Sequence, residues 1–134
     1  MEWKLELLLV PVADVDRAKH FYAEQVGFVV DHDTRISDDM RIVQLTPNGS
    51  ACSIAIGTGM VSTPPGSVQG AQLVVSDIQA ARAELLERGV EVTPVQHFEG
   101  GGMVDGPGEP WNSFVHFSDP DGNSWVVQER PAQD

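Results

Sequence analysis

Four histidines, one cysteine and a run of three glycines are the features of this chain whose residue types suit chemistry. His97 stands just before Glu99-Gly100-Gly101-Gly102-Met103, where an imidazole can serve a site mouth as general base or hydrogen-bond donor. A partly exposed loop histidine is the plainer alternative. His116 alternates with Phe114, so both fall on one strand face, lining a cavity or held in a hydrogen-bonded niche. His20 falls on the outer side of a helical stretch. His32, between Asp31 and Asp33, sits where strand alternation sends neighbours to opposite faces, so a solvated strand end is expected. Cys52 lacks a basic neighbour to lower its thiol pKa and reads as a small buried apolar residue. The glycine run is not a phosphate loop, because neither a Lys-Ser/Thr pair nor a helix N-terminus follows it. Trp111, after Pro110, closes the Gly-rich segment and can stack on a ligand or anchor the loop.

The elements that position these residues repeat. Val12-Ala13-Asp14-Val15-Asp16-Arg17-Ala18 recurs as Val75-Ser76-Asp77-Ile78-Gln79-Ala80-Ala81, and Thr46-Pro47-Asn48-Gly49-Ser50 recurs as Asp119-Pro120-Asp121-Gly122-Asn123. Two landmarks in the same order argue for internal duplication. Asp14 and Asp77 are N-cap residues, with apolar side chains at helical spacing after each, and Gly27 and Gly89 suit left-handed helix ends. Strands are expected at 3–10, 28–33, 40–45, 51–56, 71–75, 90–95, 113–117 and 124–128. Each half is therefore strand, helix, three strands: module 1 over 3–57, a linker over 58–69 and module 2 over 70–130, in a single domain of 1–134. Asp14 to Pro47 spans 33 residues and Asp77 to Pro120 spans 43, so module 2 holds ten more. They fall in the Gly-rich segment 99–109, which is expected to form a lid over the site.

Composition narrows the class. A hydrophobic content of 41% and a charged content of 21% suit one globular domain, and no apolar run nears the roughly 20 residues of a membrane helix. The net charge of −12 disfavours nucleic acid and anionic membranes as partners. The lone cysteine and a start without signal-peptide features suggest the cytoplasm.

Pro11-Val12-Ala13-Asp14-Val15-Asp16-Arg17-Ala18, with Phe21-Tyr22 and Gly27-Phe28, resembles the opening of vicinal-oxygen-chelate (glyoxalase, bleomycin-resistance and extradiol-dioxygenase-like) proteins. Phe117-Ser118-Asp119-Pro120-Asp121-Gly122-Asn123-Ser124-Trp125 is similar to their closing hairpin. The resemblance covers about residues 3–130. It implies an α+β fold of two βαβββ modules, forming a curved mixed sheet around a cavity with helices on the outer face, and a homodimer. Metallo-members of that superfamily hold a divalent cation with His, Glu or Gln. The matching positions here are Leu7 on the first strand, Gly70 or Gln72 on the fifth and Val126 on the last, while the fourth strand offers no carboxylate or imidazole. One donor at most survives, against the three or four that a metal needs. No cofactor is therefore expected, although a divalent metal on unusual ligands is not excluded.

Strand alternation sets Leu5, Leu7 and Leu9 on one face of the first strand and Leu8, Val10 and Val12 on the other, towards the helix. Gln72, Val74, Val126 and Gln128 are expected to face the cavity, with Trp125 and Val127 behind. The expected ligand-binding set is Leu7, Leu9, Gln72, Val74, Trp111, Phe114, Val126 and Gln128, an apolar lining with a few amides. Three readings follow. The first is sequestration of a small, largely apolar or aromatic molecule in a metal-free cavity. The second is a metal-independent lyase or isomerase with His97 or His116 as acid–base group. The third is a metal-dependent glyoxalase or dioxygenase on an unusual set such as Gln72, His97 and His116.

Overall fold

The computed structural model describes residues 1–132, which form two mixed sheets and two α-helices. The chain divides into one unit of Met1–Val68 with Asp119–Asn123, and a second of Gln69–Ser118 with the residues from Ser124 onward. None of the described helices is long and apolar enough to cross a membrane.

In the first unit the strands β1 (Leu7–Leu9), β2 (Val29–Ser37), β3 (Met40–Thr46) and β4 (Ser53–Thr58) form a sheet of order β1-β4-β3-β2. β1 runs parallel to β4 and the remaining pairs are antiparallel. Helix α1 (Val15–His20) begins at Asp14, whose carboxylate accepts a hydrogen bond from the Arg17 amide at 3.1 Å, satisfying a free N–H of the first turn. The helix continues as a π-helical segment, Phe21–Val26. Gly27, at φ +93°, ends it, because only glycine takes that conformation cheaply. Val15, Ala18, Phe21 and Tyr22 turn inward against Val43, Leu45, Ile54 and Ile56 of the sheet. Tyr22 stacks on Phe28, with ring centroids 5.8 Å apart.

The turn 119–123 belongs to this unit and is its most polar buried element. Asp119 Oδ1 accepts from the backbone amides of Asp121 and Asn123, both at 2.9 Å. Its Oδ2 accepts from the Tyr22 hydroxyl at 2.7 Å and from Asn123 Nδ2 at 2.8 Å. Asn123 also donates to the Pro11 carbonyl and accepts from the Val68 amide.

The second unit holds β5 (Ala71–Val75), helix α2 (Ile78–Glu87), β6 (Gln96–Glu99), β7 (Gly102–Asp105), β8 (Phe114–Ser118) and β9 (Ser124–Glu129). Their sheet order is β5-β9-β8-β6-β7, with β5 parallel to β9. Asp77 caps α2 through the Ala80 amide at 3.0 Å, and Gly89 follows the helix at φ +82°. Phe117 and Trp125, partners in register, stack nearly parallel beneath α2.

Several expectations need correction. Residues 90–95 form no strand; pairing starts at Gln96. The Gly-rich segment, read as a loop, is a β-hairpin: Glu99 pairs with Gly102, and Gly100 and Gly101 at φ +62° and +88° make the two-residue turn. Strand β1 is confined to three residues instead of 3–10, and β2 extends to Ser37 instead of ending at residue 33. Leu8 is 43% exposed although it shares the helix-side face, because β1 is the sheet's outermost strand. Cys52, expected to be buried, is half-buried, with Sγ 3.6 Å from the Ser53 carbonyl oxygen.

Replacing Asp119 with alanine leaves two amides, a tyrosine hydroxyl and a carboxamide without their acceptor in a buried site. A loss of about 3 kcal/mol or more in urea unfolding is expected. Tyr22→Phe, which removes one donor and leaves the rest paired, should cost only about 1–2 kcal/mol.

Candidate functional site

The register of the second sheet decides which residues meet. Gln72 lies opposite Val126, and Val126 opposite His116; in the next row Val74 lies opposite Gln128, Gln128 opposite Phe114 and Phe114 opposite Gln96. Registered partners share a face. Gln72, Val74, Phe114, His116, Val126 and Gln128 therefore line one open face, half-buried or exposed, while Val115, Phe117, Trp125 and Val127 are buried on the helix side.

A chain of amides crosses this face. Gln72 Nε2 donates to Gln128 Oε1 at 2.7 Å, and Gln128 Nε2 donates to the Trp111 carbonyl at 2.8 Å. Trp111 is the non-glycine residue with positive φ, at +68°, a strained conformation that the Gln128 bond helps to hold. The residue is 53% exposed, and its carbonyl ties this loop to the sheet.

His97 is placed differently from the expectation. It lies within β6, opposite Val104, and alternation turns it to the face away from Gln96 and Phe114. Its Nδ1 donates to the Gly106 carbonyl at 2.7 Å and its Nε2 lies 2.9 Å from Glu99 Oε2. The close approach of Gly108 completes the clip: a Cβ there would sit 2.7 Å from the His97 Cβ and 2.4 Å from the Asn112 carbonyl oxygen. Asn112 in turn pairs with both the amide and the carbonyl of Phe98. An open cleft of about 400 Å³ runs along this cluster. The Gly106 carbonyl first, then the Glu99 carboxylate, raise the His97 pKa above its ordinary value. Both bonds favour the doubly protonated ring, which has no lone pair left to act as a base.

His116 shares the open face with Phe114, their rings 6.5 Å apart, and its backbone amide is held by Thr93 Oγ1. His20 is exposed, as its helical position implies. Leu7 and Leu9 lie on the open face of the first sheet, in register with Ser53 and Ala55. The residues at the metal positions do not fit a divalent cation: Leu7 and Val126 present only carbon, so the Gln72 carbonyl oxygen is a single donor where three or four are needed. Gln72 and His116 share a face that His97 does not. Among the described residues no three His, Cys, Asp or Glu side chains gather as a metal cluster.

Sequence reasoning missed one polar group. A β-bulge between Val30 and His32 brings Asp31 to the same face as His32, where it accepts hydrogen bonds from Gln44 and Thr46. The strict alternation expected around His32 is corrected accordingly, while Asp31 and His32 are exposed, as a solvated strand end implies. Nothing in the local sequence marks the bulge.

Two sheets of strand–helix–strand modules, each with one open face, define the class. The profile of the Glyoxalase/Bleomycin resistance protein/Dioxygenase superfamily matches residues 4–127, and the chain belongs to that superfamily. It is similar to TnmS3, an antibiotic binding protein from Streptomyces sp. CB03234, with 35% identity, a TM-score of 0.77 and coverage of 96% of this chain and 97% of that one. A glyoxalase/bleomycin resistance protein from the same organism is 36% identical, with a TM-score of 0.74 and coverage of 94% and 100%. The uncharacterized protein YetH of Bacillus subtilis (strain 168) is 26% identical over 131 residues, covering 90% of this chain and 92% of its own.

The His97 clip makes a pH prediction. A raised folded-state pKa stabilises the clip fully below the ordinary value of 6.5 and loses that contribution as pH rises through the raised value. An NMR titration of the His97 ring should give a midpoint above 6.5, falling back towards it in Glu99→Gln. An unshifted midpoint in the unaltered protein would contradict the clip.

Proposed function

We propose that this protein binds and sequesters a small, largely apolar or aromatic molecule and does not transform it. The observation that carries this reading is the open face of the second sheet. Val74, Phe114 and Val126 offer apolar surface there, and the bonded amides of Gln72 and Gln128 cross it. Such a surface gains affinity from buried area and orientation from a few fixed hydrogen bonds. The Gln72 carbonyl oxygen, without a partner among the described residues, remains to accept from a ligand. Trp111, more than half exposed, offers a ring for stacking. Leu7 and Leu9 give the first unit's open face a similar apolar character. The similarity to an antibiotic binding protein supports the same reading.

Acid–base chemistry has less support. His97 is engaged at both nitrogens, and the His116 ring has no hydrogen-bonding partner among the described residues to fix its orientation. The proposal includes a homodimer, supported by the exposed Trp3, Leu5 and Leu8 on and before the edge strand β1. It also places the protein in the cytoplasm, on its single cysteine, and away from nucleic acid, on its charge of −12.

A panel of aromatic antibiotics and hydrophobic metabolites, titrated by calorimetry and recovered for mass analysis, tests this reading. At least one compound should bind and be recovered unchanged, and Phe114→Ala should weaken it about tenfold. Chemical conversion that disappears in His116→Ala would overturn sequestration in favour of a lyase or isomerase.

A further inference from the structure

The open face of the first sheet carries a polar cluster that the reading above leaves unused. β4 contributes Ser53 and Ala55, short side chains that register beside Leu7 and Leu9 of β1. On the other side, Ala55 registers with Gln44 and the adjoining Ile54 with Leu45, so Gln44 and Thr46 flank the same strip. The β2 bulge then adds Asp31 and His32. Ser53 and Ala55 are themselves buried, so the exposed leucines along one border and the polar groups along the other are what can hold one edge of a flat apolar molecule.

The direction of the hydrogen bonds shows what the polar border asks of a ligand. Thr46 Oγ1 donates its one hydrogen to Asp31 Oδ2, and Gln44 Nε2 donates to the same oxygen at 3.2 Å. Since the Thr46 hydrogen is committed, the 2.6 Å contact between the Thr46 and Ser53 hydroxyls is a donation from Ser53. Ser53 therefore donates to Thr46, and Thr46 and Gln44 donate to one carboxylate. Its other oxygen, Asp31 Oδ1, has no partner among the described residues. What the cluster has to spare is acceptor capacity and negative charge.

No lysine or arginine answers that charge on this face. Arg41 and, by register, Arg35 are on the helix side, where Arg41 is bound to Asp33 and Asp16. An apolar ligand laid over Asp31 removes water from the carboxylate, a cost that a hydroxyl offsets in part and a cation offsets far better. The overall charge of −12 adds to the same preference.

We propose that the first unit's open face selects ligands that join an aromatic or apolar body to a protonated amine, with the ammonium on Asp31 Oδ1 and the body along Leu7 and Leu9. This rests on the binding reading and narrows its ligand class. Three probes of one shape test it: naphthylmethylamine, naphthalenemethanol and naphthoate, titrated into the full-length protein by calorimetry. The amine should bind about tenfold tighter than the alcohol, with naphthoate weakest. Asp31→Asn, which keeps shape and polarity, should bring amine and alcohol within about twofold. In the unaltered protein, added salt should weaken the amine and leave the alcohol unchanged. Equal affinities for amine and alcohol, or an amine preference that survives both Asp31→Asn and salt, overturn the proposal. Alcohol binding that persists in that case leaves the sequestration reading intact, whereas no binding by any probe counts against both.

Discussion

The Asp119 carboxylate is the constraint on which the first unit depends. It is almost fully buried, accepts four hydrogen bonds and makes the turn 119–123 part of a unit otherwise built from the first half of the chain. A charge in such a place is tolerable only when its lone pairs are met, and here each oxygen meets two donors. Tyr22, fully buried, supplies one of them, which ties the end of helix α1 to that turn. The sequence motif around Asp119 is therefore more than a turn signal. Its aspartate and asparagine are internal connectors, and Gly122 at φ +92° lets the backbone between them close.

With packing assigned to the helix side, the open faces are relieved of it. In the first unit Val43, Leu45, Ile54 and Ile56 bury against α1; in the second, Val115, Phe117, Trp125 and Val127 bury beneath α2. The alternate residues of the same strands are Gln44, Thr46 and Ser53 in one sheet and Phe114, His116, Val126 and Gln128 in the other. Period-two alternation thus separates what packs beneath the helices from what the other face presents. The ion pairs follow the same division. Arg41 and Lys19 hold Asp33 far below the usual carboxylate pKa, and they do so on the helix side, whereas Asp31 lies on the other face of the sheet.

Much of this was legible from residue types. The caps at Asp14 and Asp77, the helix ends at Gly27 and Gly89, and the shared face of Gln72, Val74, Val126 and Gln128 all follow from local rules, and the structure has each of them. The misreadings share one physical origin, which is pairing that depends on a partner strand. Glycines at 100 and 101 suggest looseness until Phe98 finds Met103 and His97 finds Val104, after which they are turn residues. One residue's slip in β2 moves Asp31 to the open face, and no feature of Asp31-His32-Asp33 announces it. His97 was assigned by its distance along the chain to the glycine run, whereas the face of β6 decides what it can touch.

The loss of metal donors at Leu7 and Val126 makes physical sense in this scheme. Neither position contributes to the helix-side core, so exchanging an ionisable ligand for an aliphatic side chain there costs the fold little. It does change what the face favours. A site that fixes a cation must keep several donors free and convergent, while here Gln128 is bonded to Gln72 and to the loop at Trp111, and Leu7 and Val126 offer no donor. Apolar area and a few directed hydrogen bonds remain, and these discriminate by shape and by donor pattern more than by reactivity. The side chains at these positions can therefore change with little cost to the scaffold, because the cores of the two units lie on the opposite faces of the same strands.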